Sequence, residues 1–152
     1  MNLKLAHGLT AAVLLAAFAV PAYGKTCRIS IDSNDQMQFG SAEIAVAADC
    51  TEVELTLRHT GAMPANVMGH NWVLARTADL QAVASDGMAA GAENHYVVAG
   101  DTRVIAHTRV IGGGESDVIT FPTSALKQGE DYSFFCSFPG HWAIMQGKLV
   151  FG

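Results

Sequence analysis

An all-β domain of antiparallel strands, closed as a sandwich or a barrel, is what this sequence predicts, and three observations predict it. Apolar residues recur at every second position in one short segment after another. Gly, Asn, Asp and Pro fill the gaps between those segments, the "GGG" at 112–114 included. Only one stretch has helical spacing. A period of two places successive side chains on opposite faces of a strand, giving each segment one face for a core and one for water.

The chain opens with a leader rather than a strand. Lys4 and the amino terminus are positive, the run from Leu9 to Val20 is almost wholly apolar, and Ala22-Tyr23-Gly24 offers small residues before a cut ahead of Lys25. That is the pattern of a secretory signal peptide over residues 1–24, too short for a membrane anchor. One domain over 25–152 follows, with no second long apolar stretch, and export to a bacterial periplasm is the expected destination. The whole chain carries 9 Lys+Arg against 14 Asp+Glu, a net charge of −5. No basic patch interrupts that balance, so neither nucleic acid nor a membrane is an expected partner.

The strands then follow in order. "CRISID" turns Cys27, Ile29 and Ile31 to one face. "EIAVAAD" continues the alternation through Ile44, Val46 and Ala48, and "EVELTLRH" through Val53, Leu55, Leu57 and His59. Further runs stand at "NWVLA", "TRVIAHTRV", "SDVITF", "DYSFFCSF" and "GKLVF". The exception is "ADLQAVASDGM", where Leu80, Val83, Ala84 and Met88 share a helical face, so a short helix is expected in a long crossover.

Three cysteines follow the leader. Cys27 and Cys50, near the starts of two early strands, are the obvious pair in an oxidising compartment, and closing that loop stabilises a fold by roughly 3 to 4 kcal/mol in the chain-entropy view. Cys136 is left over, a liability for an exported protein unless something holds it. It begins "CSFPGHWAIM", residues 136–145, which also supplies His141 and Met145. A loop between adjacent strands can bend these three around one point. A further strong donor has to come from elsewhere, and His70 in "NVMGHNWVL" is the best source, in a turn where Gly69 permits close approach of backbone to a metal.

Each of these residues alone has an ordinary explanation as core or surface. Together they form a donor set. Zinc prefers four good N, S or carboxylate ligands, and a thioether is not one of them. Two imidazoles, one thiolate and a weak axial thioether suit a blue copper ion, and a metal thiolate is not free to oxidise.

"NVMGHNWVL", "SDGMAAG", "TRVIAHT", "GGGES" and "FFCSFPGHWAIM" resemble the azurins, bacterial periplasmic blue-copper electron carriers within the wider cupredoxin group. The likeness covers the whole of 25–152, and the Cys-x4-His-x3-Met spacing favours azurins over plastocyanin-like relatives. It implies a Greek-key β-sandwich and one copper ion cycling between Cu(I) and Cu(II). It implies His70, Cys136 and His141 as strong equatorial ligands, Met145 as a weak axial one and the Gly69 carbonyl opposite it. Asn71 would tie the His70 loop to Ser137, and the Phe138 N–H would point at the cysteine sulfur. The Cys27–Cys50 pair matches the family pattern. In some azurins a histidine at the place of His59 titrates with redox state; a satisfied core histidine is the plainer expectation. His95 and His107 are read as surface residues.

With both axial directions filled, no position is open to a substrate, which argues against an enzyme. A copper reductase or oxidase needs a second histidine-rich site, and only His59, His95 and His107 remain. Copper storage needs exposed, exchangeable ligands, and a structural zinc site lacks a fourth strong donor. The expected partners are redox proteins, such as c-type cytochromes, reductases or dehydrogenases, meeting a monomer in transient encounters. Met37, Met63, Pro64, Val67, Met68, Phe138, Pro139, Trp142 and Ala143 flank the ligand loops as a candidate docking patch, with Trp142 expected outermost.

Overall fold

The computed structural model describes residues 24–152, so the expected leader lies outside the described residues apart from Gly24. Among those residues nine strands form two sheets: β1 (Thr26–Asn34), β2 (Gln38–Phe39), β3 (Glu43–Val46), β4 (Glu52–His59), β5 (Val73–Arg76), β6 (Val104–His107), β7 (Ser116–Pro122), β8 (Tyr132–Phe135) and β9 (Gln146–Phe151). One sheet runs β2-β1-β4-β7 and the other β3-β9-β8-β5-β6. A single turn of helix, α1 (Ala65–Met68), precedes β5, and α2 (Leu80–Ala90) lies in the crossover between β5 and β6. No helix here is long and apolar enough to cross a membrane.

The alternation does what it promised. In β4, Val53, Leu55, Leu57 and His59 are buried while Glu52 and Arg58 are exposed. Val53, Leu55 and Leu57 meet Trp72, Leu74, Phe134 and Leu149 in one core. The Trp72 indole N–H finds no protein partner among the described residues. Cys27 and Cys50 are bonded across a Cα separation of 5.7 Å, tying the start of β1 to the approach to β4.

Three details differ from the sequence-based expectation. First, β1 pairs with β4, and β3 with β9, in parallel, so the sandwich is mixed rather than antiparallel throughout. The chain leaves the first sheet for β3 and returns, and β4 therefore lies beside β1 in the same direction. Second, Ala48 is exposed, because β3 ends at Val46 and a turn closes with Cys50 N–H donating to the Ala47 carbonyl. Third, Met88 is 42 % exposed, and Gly87 takes the inner place on α2 beside Leu80, Val83 and Ala84. A Cβ at position 87 would collide with the Tyr96 carbonyl oxygen, so the helix meets the following turn through a glycine.

Strand β8 is buried on both faces. Phe134 faces the sandwich core, while Phe135 joins Val73, Leu80, Val83 and Ala84 in a second cluster beneath α2. The segment that leads into Cys136 is thus clamped from both sides.

Candidate metal centre

Cys136 is the first residue beyond β8, and its N–H donates to the Met145 carbonyl at 3.0 Å. Met145 N–H in turn donates to the His141 carbonyl at 2.8 Å, so residues 136–145 close on themselves as a tight loop. His70 comes from the short segment between α1 and β5. Its N–H donates to the Ile111 carbonyl and its own carbonyl accepts from Ile111 N–H, at 3.0 and 2.8 Å. Gly69 just before it has no room for a side chain: a Cβ would strike the Ala65 carbonyl oxygen.

These loops bring the His70, Cys136 and His141 ligand atoms within 4.8 Å of one another. Cys136 Sγ lies 3.8 Å from His70 Nδ1 and 3.5 Å from His141 Nδ1. A metal at ordinary ligand distances would hold sulfur and nitrogen about 3.5 to 3.8 Å apart, for angles between tetrahedral and trigonal. The spacing fits an ion without rearrangement. The Gly69 carbonyl is 3.9 Å from the same sulfur, and Met145 is 1 % exposed on the same loop.

The surroundings fix the donors' protonation. His70 Nε2 lies 2.8 Å from the Asn34 carbonyl, which holds the proton there and leaves Nδ1 as the free lone pair. Burial lowers the His70 pKa to about 4 and also lowers that of His141, so both rings are neutral ligands at pH 7. Burial pushes the Cys136 thiol up to about 12, against the opposing pull of hydrogen bonds from the Asn71 and Phe138 backbone N–H groups. Two N–H donors aimed at a fully buried sulfur are an arrangement for a thiolate, and a soft cation is what the pocket needs to make one.

Asn71 is the joint between the two loops. Its Oδ1 accepts from Ser137 N–H at 2.8 Å, and its Nδ2 donates to Ser137 Oγ at 2.8 Å and to the His95 carbonyl at 2.8 Å. His59 stacks on His70 with centroids 4.6 Å apart. Gly61 N–H donates to His59 Nδ1, and His59 Nε2 lies 3.0 Å from the Met68 carbonyl and 3.7 Å from Asp35 Oδ1. His107 is on the surface as expected; His95 is half-buried, with Nδ1 accepting from Val110 N–H.

The candidate docking patch is only partly as anticipated. Met63 and Val67 are exposed by 42 % and 57 %, and Pro64, Pro139 and Ala143 are also exposed. Met37, Met68 and Phe138 are half-buried. Trp142 is not outermost: it is half-buried against the cluster beneath α2, because that cluster offers the indole an apolar seat. The neighbour overlooked in the sequence is Ile144, 64 % exposed on the ligand loop. Its place one residue before Met145, at the opposite phase of a tight turn, was the available signal. Ile111, which holds the His70 peptide, carried no signal of its own.

Comparison with known proteins agrees with this chemistry. The family described as copper-binding proteins of the plastocyanin/azurin family matches residues 25–152. The chain is 56 % identical to the azurin of Bordetella pertussis over 136 residues, covering 90 % of this chain and 91 % of that one. It is 50 % identical to the azurin of Pseudomonas aeruginosa over 142 residues, covering 93 % and 96 %. An azurin of Methylomonas sp. strain J, Az-iso2, superposes with a TM-score of 0.81 at 46 % identity, over 83 % of this chain and 98 % of that one. With a soft-donor pocket built from His70, Cys136 and His141 on a two-sheet sandwich, the chain belongs to the plastocyanin/azurin family of copper-binding, electron-transferring proteins.

Proposed function

We propose that this chain carries single electrons between periplasmic redox proteins, with one copper ion held by His70, Cys136 and His141. Met145 would add a weak thioether donor to that ion and the Gly69 carbonyl a weak oxygen donor. The observation that carries this is the pair of sulfur–nitrogen distances, 3.5 and 3.8 Å, in a pocket whose burial keeps both imidazoles neutral. Copper supplies the one-electron Cu(II)/Cu(I) couple. The chain supplies everything else.

Its residues keep the donor positions constant. Asn34, Asn71, Ile111 and the backbone hydrogen bond from Cys136 N–H to the Met145 carbonyl each lock one donor or its loop, which leaves little to reorganise when charge changes. Burial of Cys136 and His70 at 0 % exposure excludes water. His141 retains 4 % exposure, and it is the donor of the three through which an electron leaves. Met63, Pro64, Val67, Pro139, Ala143 and Ile144 give that exit a weakly charged apolar rim, suited to brief encounters with c-type cytochromes, reductases or dehydrogenases. Residues 1–24 serve as the export signal, cleaved before Lys25, and 25–152 is the working domain.

The test is to add one equivalent of Cu(II) to the reduced, metal-free protein and record visible and EPR spectra. An intense thiolate-to-copper band with small copper hyperfine splitting is the expected result. A pale, ordinary copper spectrum would contradict the assigned ligands.

A further inference from the structure

The crossover between β5 and β6 contains the one pair of consecutive non-glycine residues with positive φ among the described residues, His95 at 55° and Tyr96 at 56°. Left-handed backbone is strained for a non-glycine residue, and two in succession persist only where the surroundings over-determine them. They are over-determined here. Asn94 and Tyr96 N–H both donate to the Gly91 carbonyl, His95 N–H to Ala92 and Val97 N–H to Asn94. Gly87 of α2 makes room for the Tyr96 carbonyl.

The kinked pair touches the metal centre at two points. The His95 carbonyl accepts from Asn71 Nδ2 at 2.8 Å. The Tyr96 ring meets Phe138 edge-on, centroids 5.3 Å apart, and Phe138 in turn lies 4.7 Å from His141. Asn71 and Phe138 are also the two residues whose backbone N–H groups bond Cys136. One turn of the crossover thus braces both sulfur-directed peptides.

We propose that His95 and Tyr96 are positioning residues for the metal thiolate: by one hydrogen bond and one aromatic contact they hold the Asn71 and Phe138 peptides on Cys136 Sγ, and so set the reduction potential. This rests on the copper assignment above. An N–H directed at the sulfur withdraws negative charge from it, which favours the reduced ion over the oxidised one. Loosening the turn therefore lowers the potential. At a fixed redox poise the oxidised-to-reduced ratio rises, and a tenfold rise corresponds to about 59 mV for one electron.

The experiment compares copper-loaded His95→Val and His95→Gly. Both lose the imidazole and its contact with Val110 N–H, but valine is excluded from the left-handed region and glycine adopts it freely. The valine variant should shift the ratio about three- to tenfold toward oxidised, and the glycine variant less than twofold. In the metal-free proteins, hydrogen exchange at the Asn71 and Phe138 amides should quicken in His95→Val and stay near the unmodified rate in His95→Gly. Equal shifts in the two variants, or unchanged exchange in both, would overturn the proposal. Should His95→Val fail to fold, Gly87→Ala carries the same test from a helix that favours alanine, because its Cβ drives the turn outward. A blue band missing from the unmodified protein would instead sink the copper assignment, while the exchange rates still decide whether the turn positions these peptides.

Discussion

The two histidines of the centre are held in opposite ways. His70 is 0 % exposed, its ring is tied to the Asn34 carbonyl, and its peptide is paired in both directions with Ile111. His141 is 4 % exposed, its Nε2 has no hydrogen-bond partner among the described residues, and it is held by its loop and by the Phe138 ring. Exposed Pro139, Gly140, Ala143 and Ile144 surround it. The difference teaches a division of labour. One side fixes the geometry of the site, and the other brings a donor to the surface with as little polar interference as the loop allows.

The sulfur joins both halves, so its loss should have the largest effect. Cys136→Ser should fold and show no thiolate-to-copper band at all; a surviving blue band would mean that another residue holds the ion. On the fixed side, Asn71→Leu removes three side-chain hydrogen bonds and leaves the Ser137 N–H buried without a partner. A loss of about 3 kcal/mol in unfolding free energy is expected by chemical denaturation. A loss below about 0.5 kcal/mol would show that Asn71 does not brace the two loops.

Acid sharpens the same contrast. The unfolded histidines take up protons near pH 6.5, whereas burial holds the His70 pKa down at about 4 in the fold and lowers that of His141 too. The unfolded chain therefore binds more protons across that window, and the stabilisation is present above about pH 6.5 and lost as pH falls toward 4. The metal-free protein should melt at a progressively lower temperature between those values. A flat profile would mean that the rings are not held neutral. The smallest effect belongs to Met145, proposed above as a weak donor: Met145→Leu should keep the blue colour and raise the potential, since losing a weak donor disfavours Cu(II). A colourless, fully loaded variant would place Met145 elsewhere in the site.

The centre was largely legible in the sequence because its chemistry is local. Cys136, His141 and Met145 lie on one loop, an unpaired exported cysteine needs an explanation, and a glycine before His70 marks a close approach. The period-two segments likewise exposed the sandwich. What stayed hidden depends on distant pairing. The parallel β1–β4 and β3–β9 registers follow from a chain path between sheets that no local pattern records. His95 and Tyr96 are left-handed because of the turn around Gly91 and the space at Gly87, and neither residue type announces that conformation. Trp142 is half-buried because α2 builds a cluster over β8, and Met88 is exposed while Gly87 takes the inner place against the Tyr96 carbonyl.

The most direct test of the division of labour places the same charge in two regions. Ile144→Asp puts a carboxylate on the rim beside His141, and Val118→Asp puts one on β7, at 55 % exposure, in the other sheet. Electron self-exchange, measured by NMR line broadening in mixtures of reduced and oxidised copper protein, reports encounters between two such rims. Ile144→Asp should slow it about tenfold or more, with an unchanged visible spectrum, because like charges then meet across a desolvated contact. Val118→Asp should leave it within about twofold. Equal rates in the two variants would contradict the assignment of the His141 side as the electron's exit.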